Sequence, residues 1–297
     1  MERVHRGLTS RAAPYWQVAP LVLVFAIFFV MPLVLTAVVS TWRYNEYEML
    51  PALVGSNYAS VFTDCLAELP RLCLTFKTYL STLRLCAAVW LATLLLGFAV
   101  AYFLAFHVRS LAWQMALFLV CTIPFWTSNV IRMVSWVPLL GRHGLVNSFA
   151  QEAGFTHAPI EWLLFSNFSV VVAFVHLYTM FMIVPIFNSM SRIDPALLEA
   201  AYDAGATGWQ TLWNVIVPLS KPGIVIGSIF IVTVVIGDYV TIGVMGGQQI
   251  ASVGKVIQVQ LSYLQFPLAA ANAMVLLAAV LVIVWGMTRL VDVRAEL

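Results

Sequence analysis

Six apolar stretches dominate the chain, at about 18–41, 79–106, 113–138, 168–190, 219–243 and 267–290. Each supplies the roughly 20 residues that a helix needs to cross a hydrocarbon core of about 30 Å. Little is left to solvate a surface. Hydrophobic residues are 62% and charged residues 9% of the 297, against about 45–50% and about 25% in soluble domains. A globule so composed would expose large sticky patches to water. The sequence therefore predicts an all-α polytopic membrane protein with six transmembrane helices. One transmembrane domain would cover about 18–290, between tails at 1–17 and 291–297. The first stretch, Val18 through Val39, is too long for the roughly 7–15-residue core of a cleaved signal peptide.

An even number of spans places both termini on one side. Arg3, Arg6, Arg11, Arg109, Arg192, Lys221, Arg289 and Arg294 would stand there, against Arg43, Arg71, Lys77, Arg142 and Lys255 on the other side. Excess Lys and Arg marks the cytoplasm, so the arrangement is N-in/C-in. A net charge of +2 gives no reason to expect nucleic acid as a partner. Cys86 and Cys121 fall inside spans, where they pack as small apolar groups. Cys65 and Cys73 share the first external loop, 42–78, where an oxidising periplasm would permit a disulfide if the loop geometry does. No His/Cys/Asp/Glu spacing suits a metal.

The loops differ in character. The first external loop, with Pro51, Gly55 and Pro70 among Glu46, Glu48, Asp64 and Glu68, has room for short amphipathic pieces on the outer surface. His107 to Ala112 is short and makes spans two and three a tight hairpin. Gly141-Arg142-His143-Gly144 marks a turn, and the Gly246–Pro267 loop mixes Gly, Gln and apolar residues that suit a partial dip into the membrane. The internal loop at 191–222 is the most structured. Asp194 can cap a helix whose first position is Pro195, Leu198, Ala201 and Tyr202 make one apolar face, and Gly205 can supply a left-handed terminus. Thr207 and Gln210 then form a capping box for a second helix running to about Val217, before Pro218. An apolar helix face at the cytoplasmic surface needs a partner.

That loop resembles the EAA loop of binding-protein-dependent ABC importer permeases: Glu199-Ala200-Ala201, then Gly205, then Pro218, with Val215 and Val217 where the family usually has Ile and Leu. Further stretches resemble the spermidine/putrescine branch of that family. They are Pro124-Phe125-Trp126-Thr127-Ser128 with Arg132 and Trp136, Gly141 through Ser148, and Gly237-Asp238-Tyr239-Val240-Thr241. The resemblance implies the six-helix permease architecture of type I importers and a set of partners. These are a second, different permease subunit, two ATPase subunits, a periplasmic solute-binding protein and the lipid bilayer. It implies that Glu199, Ala200, Ala201, Tyr202, Asp203, Gly205 and Ala206 couple to the ATPase. ATP and Mg would be used by those partners and the chain itself would be no enzyme. The sequence agrees, since a phosphate-binding loop needs Gly-x4-Gly-Lys-[Ser/Thr]. At Gly254-Lys255 the first glycine is Gln249 and the residue after Lys255 is Val256.

Three ionisable residues, Arg84, Arg132 and Asp238, fall within spans, where each costs about 2.5–3.5 kcal/mol at the bilayer centre. Counted along straight helices, all three sit in the outer third, within reach of water by snorkelling. Asp238 is expected to pair with Arg132 or Arg84 in a gate below the binding protein. The competing reading makes Asp238 a transient site for a cationic amine. Trp126, Asn129, Tyr178 and Tyr239 are candidates to line the path, aromatic faces holding alkylammonium ions by cation–π attraction. Pro124 and Pro185 are candidate hinges, and His176 suits an inter-helix hydrogen bond. An ion-coupled secondary transporter would instead need paired ionisable groups near the midplane and an internal repeat, neither of which is visible. The solute expected is a polyamine, with opines, quaternary amines and aminophosphonates as alternatives.

Overall fold

The structure is a computed structural model, and it describes residues 13–45, 48–63, 65 and 73–289. Most of the N-terminal tail, the whole 291–297 tail, Glu46, Asp64, Glu68, Pro70 and Arg71 lie outside the described residues. Four helices are long and apolar enough to cross a membrane: Gln17–Val39, Leu74–His107, Glu161–Met190 and Phe266–Arg289. Two bent pairs complete the set. Leu111–Trp126 meets Asn129–Glu152 at 93°, and Gly208–Leu219 meets Lys221–Gly237 at 65°. Six spans result when each pair counts as one. The all-α expectation holds apart from an antiparallel hairpin in the first external loop, Arg43–Tyr44 with Met49–Leu50.

The chain divides into two compact units, 1–63 with 259–276, and 64–258 with 277–297. In the first unit, span one is exposed at every residue from Val18 to Leu35. It ends at Ser40, whose hydroxyl meets Tyr58 Oη at 2.7 Å. Buried Asn57 donates to the Ser40 and Trp42 carbonyls, both at 2.8 Å, closing the loop onto the end of the span. The second unit is built on span four. Val170, Ala173, Phe174, Leu177, Met182 and Ile186 of that helix are each 0–2% exposed, and spans two and five pack against it. Small residues set the approach. A Cβ at Gly97 of span two would stand 2.8 Å from Met182 Cγ, and one at Gly223 of span five 2.9 Å from Ile186 Cα. Between membrane helices, close packing replaces the hydrophobic drive that water supplies elsewhere.

Local chemistry explains several departures from ideal helix. Span one widens to a π turn at Ala26–Val30, closed by Met31 N–H on Ala26 O, immediately before Pro32. The loop helix does the same at Leu212–Ile216, closed by Val217 N–H on Leu212 O, immediately before Pro218. Proline removes a donor and crowds the carbonyl four residues back, and a π turn accommodates both. The helix consequently runs through Pro218 to Leu219 rather than stopping before it. Pro185 lies inside the unbroken helix Asn167–Met190, so no hinge forms there. Pro124 does sit at a break, in the 3-10 turn Ile123–Trp126. The hairpin of spans two and three is tight as expected, pinned by Gln114 Nε2 donating to Leu104 O at 2.8 Å. Cys65 and Cys73 form a disulfide. Cys86 is free and buried, and Cys121 is free and half-buried.

Overpacking a close helix contact costs about 1–3 kcal/mol. Gly223→Ala is therefore expected to lower the unfolding midpoint of the purified protein in detergent. Gly286→Ala, where a Cβ meets nothing within 4 Å, should leave it in place.

Candidate functional site: the cytoplasmic elbow and the outer polar latch

The cytoplasmic loop folds as its sequence dictates. Asp194 Oδ1 accepts from Ala196 N at 2.9 Å and caps the helix Pro195–Asp203. Gly205 turns the chain with φ +82°, a conformation that L side chains resist. Thr207 and Gln210 form the reciprocal capping box that starts the helix Gly208–Leu219. Within the first helix Leu198 and Ala201 are half-buried against the rest of the loop, while Leu197 and Tyr202 are exposed. Of the face expected at Leu198, Ala201 and Tyr202 only Tyr202 is exposed, and Leu197, also exposed, lies about 140° around the helix from it. Glu199, Ala200, Asp203 and Gly205 are exposed beside it, and Ala206 is half-buried. Trp209 and Trp213, ring to ring at 5.7 Å, are exposed on the following helix. Neither is singled out by the sequence reading. Their i, i+4 spacing was the available signal.

Away from the elbow, beside the middle of span four, the backbone breaks where the charges are. Span three stops at Trp126, so Arg132 belongs to a separate short helix, Asn129–Val134, and not to the outer third of a straight span. Span five stops at Gly237, and Asp238 caps the next helix, Tyr239–Met245. Asp238 Oδ1 accepts from Thr241 N at 3.0 Å, while Oδ2 accepts from Thr241 Oγ1 and from Tyr178 Oη, both at 2.7 Å. Arg132 is 7% exposed. It donates to Asn129 Oδ1 and, at 3.5 Å, to Leu177 O, and its Nε has no protein partner. The expected ion pair of Asp238 with Arg132 or Arg84 does not form. Among the described residues the ion pair is Arg142 with Glu161, at 3.8 Å on the surface. The reason is local: once span five ends at Gly237, the carboxylate is turned onto its own helix and its lone pairs are used by neutral donors.

Span four holds both charged residues, Arg132 through Leu177 and Asp238 through Tyr178, which are consecutive in sequence. Asn129 joins Arg132, whereas Trp126 is 76% exposed and Tyr239 43% exposed. His176 accepts from Trp136 Nε1 at 3.0 Å, the inter-helix hydrogen bond expected of it. Below Tyr178 lies an aromatic stack that sequence reasoning did not single out. Phe181 packs edge-on against Phe125 at 5.5 Å and stacks on Phe230 at 5.9 Å. Beneath that stack a cavity of about 750 Å³ runs down span four to the elbow, lined by Pro185, Asn188, Arg192, Asp194, Leu197 and Phe230. No group of three or more His, Cys, Asp or Glu among the described residues could hold a metal.

The chain belongs to the family described as binding-protein-dependent transport system inner membrane component, which matches residues 8–293. It is 32% identical over 231 residues to the spermidine/putrescine transport system permease protein PotB of Escherichia coli K12, covering 75% of this chain and 82% of that one. With PotB of Haemophilus influenzae it shares 28% identity over 278 residues, 91% and 93% of the two chains. Its fold is that of a chain in a bacterial ABC transporter involved in import of the acidic polysaccharide alginate. That match has a TM-score of 0.70 at 18% identity and covers 94% of each chain. The protein is a permease subunit of an ABC importer, resident in the inner membrane.

Tyr178→Phe removes one charge-assisted hydrogen bond, worth about 1.5–3 kcal/mol. The variant should melt at a lower temperature than the parent by differential scanning fluorimetry, and Thr241→Val should compound the loss.

Proposed function

We propose that the chain translocates a small cationic amine, a polyamine such as spermidine or putrescine, delivered by a periplasmic solute-binding protein. It works with a second, different permease subunit and with two ATPase subunits that bind and hydrolyse ATP with Mg. The observation that carries the coupling is the elbow. A helix capped at Asp194, ended by left-handed Gly205 and showing Leu197 and Tyr202 outward is rigid enough to be pushed and apolar enough to be gripped. Glu199 and Asp203 supply polar contacts at the rim of the groove that receives it, and Ala200, Ala201 and Ala206 allow close approach. What supports a permease partner is span one, exposed at every residue from Val18 to Leu35. The cytoplasmic side is assigned to the elbow from the balance of Lys and Arg in the loops.

Motion passes from the elbow along Gly208–Leu219 to the 65° bend and so to span five. The outer end of that span carries Asp238, and the Asp238–Tyr178 hydrogen bond is the latch that must yield when the outer mouth opens. A protonated amine arriving there competes with Tyr178 for the same carboxylate oxygen. Trp126, Asn129 and Tyr239 offer aromatic and amide surface on the way to the Phe125–Phe181–Phe230 stack. The amine reading rests on the names of the relatives and on this acidic, aromatic lining.

Proteoliposomes holding the full complex should accumulate labelled spermidine only with ATP inside and binding protein outside. Uptake of an opine, a quaternary amine or an aminophosphonate in its place would shift the solute, and ATP-independent uptake would overturn the importer reading. Gly205→Val is expected to keep the ATPase in a detergent pull-down yet cut uptake at least about tenfold, the effect of losing about 1.4 kcal/mol of coupling. Asp238→Asn should assemble normally and lose uptake. Loss of assembly would reduce Asp238 to a structural cap.

A further inference from the structure

A second cavity, of about 480 Å³, opens between spans two and four at the end opposite the elbow, and nothing in the transport reading uses it. Its lining changes character along the membrane normal. Lys77, Ser81 and Arg84 of span two and Asn167 of span four form the upper wall with one apolar residue, Leu80, among them, and Leu85, Ala88 and Val171 form a wholly apolar lower one. Lys77, Ser81 and Arg84 fall at i, i+4 and i+7, one face of the helix Leu74–Tyr102. Span two is a 34-residue helix, Leu74–His107, about 51 Å long and far longer than the hydrocarbon core it crosses. Its uncharged run begins at Leu85 and reaches Phe106, 22 residues or about 33 Å. Span four has the matching run from Phe168 to Met190, directly after Asn167. Arg84 and Asn167 therefore stand at the same boundary, where hydrocarbon gives way to headgroups, and Lys77 stands about 10 Å further out.

Two cations on the outer side run against the charge bias of a chain that keeps most of its Lys and Arg inside, so they call for a local counter-charge. Neither Lys77 nor Arg84 has a carboxylate within 4 Å among the described residues. We propose that this cleft is a binding site for an anionic phospholipid of the outer leaflet. Lys77 and Arg84 take the phosphate, Ser81 and Asn167 donate to the headgroup, and the first acyl carbons lie on Ala88 and Val171. Guanidinium matches phosphate with paired donors, and the amphipathic gradient fits a lipid better than a soluble anion, which has no use for the apolar floor. The site goes beyond the transport proposal and needs only that the chain spans a membrane.

The test is native mass spectrometry of the detergent-solubilised permease complex, delipidated and then titrated with phosphatidylglycerol or phosphatidylcholine. The expected result is retention of phosphatidylglycerol over phosphatidylcholine by the parent. The double variant Lys77→Gln/Arg84→Gln should weaken that retention at least about tenfold, and Lys77→Arg/Arg84→Lys should largely restore it. Equal retention of both lipids, or equal retention by parent and double variant, overturns the site. So does competition by millimolar inorganic phosphate with no dependence on the acyl chains, which would make it a free-anion site. A third arm places cysteine at position 84 in the lipid-replete complex. Ready cross-linking of Arg84→Cys to the second subunit or to the binding protein would show the cleft filled by protein and overturn the proposal, whereas labelling by a lipid-borne thiol reagent supports it.

Discussion

Inside hydrocarbon an interrupted helix leaves amides and carbonyls that nothing outside the protein can satisfy. The two breaks nearest the outer side are each repaired from within. Thr127 closes the end of span three by donating both its backbone N–H, at 3.3 Å, and its hydroxyl, at 2.8 Å, to Pro124 O. Asp238 closes the end of span five by capping the following helix through Thr241 N. Both repairs lie beside span four, the continuous helix that carries the buried core. The architecture is a rigid post with two jointed arms, and the hydrogen bonds that make the joints affordable are also those that hold them in one position.

The same logic explains why the informative polar residues are few. Charge is scarce throughout the chain, so a half-buried carboxylate and a buried guanidinium have no crowd of neighbours to disguise them. They do not neutralise each other. Tyr178 and Thr241 satisfy Asp238, and the Leu177 carbonyl and Asn129 serve Arg132. A direct pair would be hard to separate in low dielectric. A carboxylate held by neutral hydroxyls exchanges partners at lower cost, which suits a latch that opens once per transport cycle. At the other end the elbow is built for stiffness instead, with a cap at each helix start and one left-handed glycine between them.

Much of this was legible beforehand, because hydropathy over some 20 residues and helix-capping chemistry are both local. The six spans, the Asp194 cap, the Gly205 turn and the Thr207–Gln210 box needed no tertiary information. The breaks were less visible, since both arms of span three are apolar and only Thr127-Ser128 separates them. Asp238-x-x-Thr241 is itself a capping pattern, but treating the span as one straight helix hid it and led to the ion pair that does not form. The orientation of the elbow helix, with Leu197 rather than Leu198 outward, depended on how the loop packs on itself. The aromatic stack of Phe125, Phe181 and Phe230 draws on three separate spans and carries no sequence signal, as 19 Phe are spread along the chain.

The central claim is that the outer breaks are moving joints driven from the elbow. Pulsed electron-spin distances in the nanodisc-reconstituted complex test it directly, with labels at Met115 and Val130 across the break of span three and a control pair at Phe168 and Asn188 along span four. Adding Mg-ATP to a complex whose ATPase binds but does not hydrolyse nucleotide should shift the Met115–Val130 distribution and leave Phe168–Asn188 unchanged. An unchanged Met115–Val130 distance in a complex that still transports would contradict the account, since the spans would then be moving as rigid bodies.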